Sequence, residues 1–163
     1  MTVRIETQRS DGATSTGTGF YFNFCVQGDV CIPVIVTNKH VIENANSMTI
    51  FLSVLNDDGA IAERKERLEV NGMLGHWVMH PDPDVDLCVL PIAQIVDGFA
   101  DAGKPLAITP LNVSLVADAE KMSTLSAIED ITMVGYPNGL WDEANNLPIV
   151  RKGITATPVG SDY

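Results

Sequence analysis

The stretch PVIVTNKHVI, residues 33–42, is an apolar run that ends on a histidine and then turns into a short helical segment. Residues 34–36 are β-branched, a composition that suits a strand buried on both faces. Asn38 supplies the turn chemistry that ends this strand. His40 is therefore expected just past the end of a buried strand.

Two further segments stand in a fixed order around this histidine. Residues 17–22, GTGFYF, precede it, and residues 84–90, DVDLCVL, follow it. With these segments the sequence resembles the trypsin-like serine peptidases, in particular their bacterial HtrA-like branch, over most of its length. The resemblance implies that His40 is the general base and that Asp86 is its partner. It implies no metal or cofactor, and a peptide or protein as substrate.

Asp86 has a position that suits this role. It is the last polar residue before an apolar strand, so its carboxylate is expected to be partly buried and to need a hydrogen-bonding partner. His40 would be that partner, because a carboxylate that accepts from one ring nitrogen leaves the other free to take a proton. Asp84, in the same acidic loop, is the second candidate.

The first hundred residues alternate short strand patterns with turn signals, which is typical of an all-β barrel or sandwich. The strands are expected at residues 3–7, 19–24, 31–37, 48–55, 66–70, 75–79 and 87–90, a helical turn at 93–100, and later strands at 130–137 and 148–154. The resemblance implies a trypsin-like double β-barrel. The first barrel would be complete over residues 1–105, and the second would be partial over residues 106–163.

The nucleophile of this family lies in a Gly-x-Ser-Gly segment, and none of the eight serines in this sequence is followed by glycine. Ser161 follows a glycine but precedes Asp162. The sequence therefore predicts a serine endopeptidase for which these 163 residues supply the histidine and the aspartate but not the serine, as in a truncated chain. The alternative is a catalytically inactive trypsin-fold protein that binds or scaffolds. In both cases the chain as written is expected to be inactive.

A partial second barrel has a consequence for association. Strands that lack their neighbours leave unpaired edges and an uncovered apolar face. Self-association through these edges is therefore expected.

The charge of the chain bears on which classes of molecule it can bind. The formal net charge is -11, with 10 basic against 21 acidic residues, which argues against nucleic-acid binding. The first residues show no apolar core of a signal peptide, and the chain has no transmembrane run, so a cytoplasmic location without membrane contact is expected.

His76 and His80 have metal-ligand spacing, but Gly75 and Pro81 bracket too few residues for the helix that such a site needs.

The cysteines number three, and in a chain without an export signal reduced thiols are expected. Cys25 and Cys31 could nonetheless face each other across a hairpin centred on Gly28. A redox pair there is the alternative to three free thiols, which include Cys88.

Overall fold

The computed structural model describes residues 2–27, 30–71, 73–145 and 147–159. Strands dominate these residues, which confirms the all-β class. The strands are β1 (Thr2–Arg9), β2 (Thr14–Gln27), β3 (Val30–Thr37), β4 (Ala45–Leu52), β5 (Glu66–Asn71), β6 (Val78–Met79), β7 (Cys88–Pro91), β8 (Leu111–Asn112), β9 (Asp130–Gly135) and β10 (Ile149–Ile154). The helices are α1 (Lys39–Ile42), α2 (Ala93–Asp101) and α3 (Ala119–Thr124), with 3₁₀ turns at Met73–His76, Val113–Leu115 and Pro137–Gly139.

Most strands belong to one sheet. Its order is β5-β4-β1-β2-β3-β7-β6, and β8 pairs with β2 beside this path. All neighbours on the path are antiparallel, whereas β8 runs parallel to β2. Strands β9 and β10 form a separate antiparallel pair. The 14-residue strand β2 therefore organises the molecule, because it pairs with β1, β3 and β8 along its length.

Strand β3 is buried on both faces, as its β-branched composition predicts. Ile35 is 1% exposed and lies in the main core, together with Ile5 of β1 and Ile50 of β4. Val34 and Val36 point to the other face and form a second cluster with Phe22. Because successive side chains alternate in a strand, this burial fixes the register of β3 and hence the place where it ends.

A buried arginine of β1, Arg4, contacts the region after β9. Arg4 is buried, and its guanidinium lies 3.8 Å from the ring centroid of Phe51 and 4.2 Å from that of Trp141. It also pairs with Glu6. A guanidinium held between two aromatic faces is attracted by both ring quadrupoles, so Arg4 joins the first sheet to the segment that follows β9.

Several predicted boundaries differ from the structure. β2 begins at Thr14, five residues before the strand expected at 19–24, because Thr14 pairs with Gln8 of β1. β4 begins at Ala45, directly after Asn44 takes the left-handed turn with a φ of 60°. The expected strand at 75–79 is limited to β6, because a 3₁₀ turn ends at His76.

The chain beyond residue 105 stays in contact with the first sheet. Leu106 is buried in the main core and bridges Val54, and β8 pairs with β2. The division of the chain at residues 105 and 106 stays a prediction.

The expectation of three free thiols is wrong. Cys25 and Cys31 are joined by a disulfide, whereas Cys88 is free and buried. The two bonded cysteines are directly paired across the β2–β3 hairpin, which is the facing arrangement that the sequence offered as the alternative. The register of the hairpin therefore brings the sulfurs together, and an argument from compartment alone missed the pairing.

No helix in the described part of the chain is long and apolar enough to cross a membrane.

Candidate active site

The site forms where strand β3 ends and the neighbouring antiparallel strand β7 begins. Thr37, the last residue of β3, is paired with Cys88, the first residue of β7. The chain that leaves β3 therefore runs beside the chain that enters β7. This register places the segment of His40 against the loop of Asp86, although 46 positions of sequence separate them.

The structure brings His40 and Asp86 together through two bonds to one carboxylate. His40 Nδ1 lies 2.5 Å from Asp86 Oδ2, and the backbone N–H of His40 donates to Oδ1 at 3.1 Å. An ionised carboxylate can only accept hydrogen bonds, so the ring proton of this pair belongs on Nδ1. This tautomer leaves Nε2, on the other side of the ring, able to take a proton.

Asp84, the second candidate, has a different place. Its backbone N–H donates to Asp82 Oδ1 at 3.0 Å, within a turn of the acidic loop. The bond from the imidazole goes to Asp86, two residues further along the chain. Asp84 therefore helps to shape the loop, and Asp86 is the carboxylate beside the histidine.

Asp86 is more exposed than the sequence predicted. The side chains of His40 and Asp86 are 67% and 46% exposed. The hydrogen bond from His40 nevertheless holds the pKa of the Asp86 carboxyl below its usual range. Since solvent screens an exposed pair, its strength depends on how well the backbone holds the two side chains in place.

The helix that carries His40, α1, packs against β2 at Gly17. A Cβ at this position of β2 would lie only 2.4 Å from Val41 Cγ1 and 2.7 Å from Cγ2. Val41 is buried and directly follows His40 in α1. The missing side chain of Gly17 therefore lets α1 pack closely against β2, and this contact fixes the height of the imidazole over the strand.

Thr18 connects the site to the turn after β9. Its hydroxyl oxygen accepts from the backbone N–H of Tyr136 at 2.8 Å, and its carbonyl accepts from the hydroxyl of Thr37 at 2.9 Å. A Cβ on Gly135 would lie 2.7 Å from the Thr18 hydroxyl oxygen. Close approach at Gly135 thus allows the Tyr136 turn to rest on β2 next to the end of β3.

The family model of the trypsin-like peptidase domain matches residues 17–160, which is most of the chain. The chain belongs to the trypsin-like peptidases. No curated protein matches it. Membership supports a function of the serine-protease type and confirms the family that the three sequence segments indicated.

In this trypsin-like domain His40 borders a cleft of about 520 Å³. Its lining consists mainly of hydroxyl, amide and backbone groups from β2, the α1 segment and the turn after β9. The lining residues are Thr14, Ser15, Thr16, Gly17, Thr18, Asn38, His40, Val41, Tyr136, Pro137, Asn138 and Gly139. His40 is the titratable base of this lining, so a group bound in the cleft could exchange a proton with it.

The other sequence candidates lie elsewhere. His76 ends a 3₁₀ turn, whereas His80 follows β6 and accepts from the backbone N–H of Asp82 through Nδ1 at 3.2 Å. In the described ranges no group of three or more metal-ligating side chains is arranged to hold an ion. Ser161 lies outside the described residues.

Sequence reasoning missed the side-chain roles of Asn38 and Thr18. The sequence indicates only a turn role for Asn38, but its Nδ2 donates to the carbonyl of Asp86 at 2.7 Å. For Thr18 the sequence indicates no role beyond its place in the GTGFYF segment. The sequence offers no direct signal for either contact, because both depend on long-range strand pairing.

Proposed function

We propose that this trypsin-like domain is the histidine- and aspartate-bearing part of a serine endopeptidase. His40 is the general base, Asp86 orients it, and the nucleophilic serine lies outside these 163 residues. The observation that carries the proposal is the bond between His40 Nδ1 and Asp86 Oδ2 at the edge of the cleft.

The relay moves one proton at a defined atom. Nε2 of His40 takes the proton of the serine hydroxyl as the hydroxyl oxygen attacks the peptide carbonyl. The same nitrogen then gives the proton to the leaving amine as the peptide bond breaks. Asp86 stays ionised throughout and stabilises the positive charge that develops on the ring. The substrate class is a peptide or protein.

A non-catalytic binding or scaffolding protein is the second candidate. The sequence favours it in one respect, since none of the eight serines is followed by glycine. The exposure of Asp86 favours it in another, because an exposed hydrogen bond is screened by water. A non-catalytic protein has no need for an oriented imidazole, and this is why we rank the peptidase first.

Labelling with a fluorophosphonate probe tests the proposal. The natural polypeptide that contains these residues should bind the probe at about one equivalent, and His40→Ala should abolish the reaction. The 163-residue chain itself should not react. Labelling of this chain that is lost on Ser15→Ala or Ser161→Ala would show that the nucleophile is misplaced. A folded natural polypeptide that stays unreactive would favour the binding protein.

Self-association is proposed through β9 and β10. Among the described residues these strands pair only with each other, and Ile131, Met133 and Val150 are exposed on them. An isolated two-stranded unit is marginally stable in water, so further strands would stabilise it. The mass of the chain in sedimentation equilibrium should therefore rise with concentration, and a constant monomer mass would contradict this proposal.

We also propose a cytoplasmic location, and the redox state of Cys25 and Cys31 in cells tests it. Disulfides persist in oxidising compartments and are rare in the cytosol. In cells quenched with acid and alkylated at once, a cytoplasmic chain should contain Cys25 and Cys31 mainly as thiols. A fully oxidised pair would contradict the cytoplasmic location.

A further inference from the structure

The two residues before His40 bind the acidic loop without using the acid–base pair. Asn38 Nδ2 donates to the backbone carbonyl of Asp86 at 2.7 Å. Lys39 Nζ donates to the backbone carbonyl of Asp82 at 2.8 Å. The two acceptors stand at the two ends of the loop segment 82–86. Because both are main-chain carbonyls, these bonds fix the path of the loop backbone and do not depend on the ionisation of any carboxylate.

The side chain of Asn38 does not make the capping hydrogen bond that is usual at its position. Asn38 is the N-cap residue of α1, and an asparagine there commonly accepts from a backbone N–H of the first helical turn. The Asn38 side chain makes no such bond and instead donates across to the loop. The side chain is thus used to join two segments and not to start the helix.

The loop needs this restraint because burial does not provide it. Its base is closed where the backbone N–H of His80 donates to the carbonyl of Leu87 at 2.9 Å. Within the loop that this bond closes, the Asp86 side chain is 46% exposed. Ordering two exposed side chains costs conformational entropy, and a single exposed ion pair contributes little free energy to offset that cost.

We propose that Asn38 and Lys39 are positioning residues, which clamp the loop so that the Asp86 carboxylate stays on Nδ1 of His40. This inference rests on the proposed function for its catalytic meaning. A carboxylate that moves away no longer fixes the ring proton on Nδ1, and the proton then distributes between both nitrogens. The fraction of the ring with a free Nε2 therefore falls when the clamp is lost.

The ring nitrogens of His40 report this directly in ¹⁵N NMR of the chain, in the neutral form of the ring. His40→Ala assigns the signals, and Asp86→Ala, which has no side-chain donor or acceptor, gives the spectrum of an unheld ring. We expect Asn38→Ala and Lys39→Met to shift the His40 signals toward those of Asp86→Ala. The population of the released ring should rise about fivefold for each variant, the factor that one average hydrogen bond contributes.

Matched variants separate positioning from general damage. Lys39→Arg keeps a donor and should retain the signals of the unmodified chain, as should Lys152→Met on exposed β10. The amide of Val41, which donates to the Asn38 carbonyl, should keep its hydrogen-exchange rate in Asn38→Ala, because that bond is main-chain only.

Each outcome decides the matter. If Asn38→Ala and Lys39→Met leave the ring signals unchanged while Asp86→Ala shifts them, the pair exists and the clamp is refuted. If Asp86→Ala itself changes nothing, the pair of the proposed function fails and the clamp with it. If Asn38→Ala does not fold, the comparison of Lys39→Met with Lys39→Arg decides, and equal spectra would refute the clamp.

Discussion

Replacing Gly17 with alanine should disturb the site without changing either member of the acid–base pair. The new Cβ would lie 2.4 and 2.7 Å from the two γ-methyl carbons of Val41. These methyls stand on a β-branched, buried side chain with little rotamer freedom, so α1 has to move. Overpacking of this kind costs roughly 1–3 kcal/mol of unfolding free energy.

A double-mutant cycle with Val41→Ala isolates this contact. Val41→Ala alone should cost about 2 kcal/mol, from two buried methyl groups at about 0.8 kcal/mol each plus a cavity term. In the double variant the nearest remaining atom is Val41 Cβ, at 3.2 Å. That separation is tight but tolerable, so the two costs should combine to about 1 kcal/mol less than their sum.

Urea unfolding followed by tryptophan fluorescence, to which buried Trp77 contributes, measures these free energies. Gly98→Ala in α2 is the control, because a Cβ there meets no atom within 4 Å and alanine favours a helix over glycine by about 1 kcal/mol. Two costs at Gly17 and Val41 that add within about 0.5 kcal/mol, or a neutral Gly17→Ala, would refute the close contact between β2 and α1.

Three further outcomes follow from the cysteines and the carboxylate. Alkylation of the unfolded, unreduced chain should add one label by intact mass, at Cys88, and reduction should raise this to three by opening Cys25–Cys31; three labels without reductant would contradict the disulfide. Burial raises the pKa of the Cys88 thiol to about 11, so a disulfide reagent should react with it at pH values near 8 far more slowly in the folded chain than in urea, and equal rates would contradict its burial. The hydrogen bond from His40 lowers the pKa of Asp86 from its ordinary value of 3.8, so its stabilising share is present above 3.8 and is lost as pH falls through the lowered pKa. His40→Ala should move the Asp86 carboxyl titration in ¹³C NMR up toward 3.8, and an unchanged midpoint would contradict the bond.

The strands that depend on local composition could be predicted from the sequence. The β-branched residues 34–36 indicated a strand buried on both faces, and the structure confirms this for β3. The order of the three segments indicated the family, and the family model confirms it. Local pattern is sufficient in these cases because the hydrophobic period and the turn residues agree with the final packing.

The exposure of Asp86 and the side-chain contact of Asn38 depend on long-range register and could not be predicted. The strand entrance at Asp86 suggested partial burial, but the loop stands away from the core and the carboxylate is exposed. The side-chain contact of Asn38 with the carbonyl of Asp86 arises only because Thr37 and Cys88 are paired. The Cys25–Cys31 bond differs, because it follows from local hairpin register. The sequence offered this facing pair as an alternative, and the expected compartment outweighed it.

Peptide hydrolysis by the natural polypeptide, compared between Asp86→Asn and Asp84→Asn, tests the proposed relay most directly. Asp86→Asn should lower kcat about 10⁴-fold, the loss expected when the carboxylate that fixes the tautomer of the base becomes an amide. Asp84→Asn should stay within about twofold of the unmodified polypeptide, because Asp84 contacts the loop through its backbone N–H and does not contact the imidazole. Equal losses in the two variants, or an unchanged kcat in Asp86→Asn, would contradict the assignment of His40 and Asp86 as the working pair.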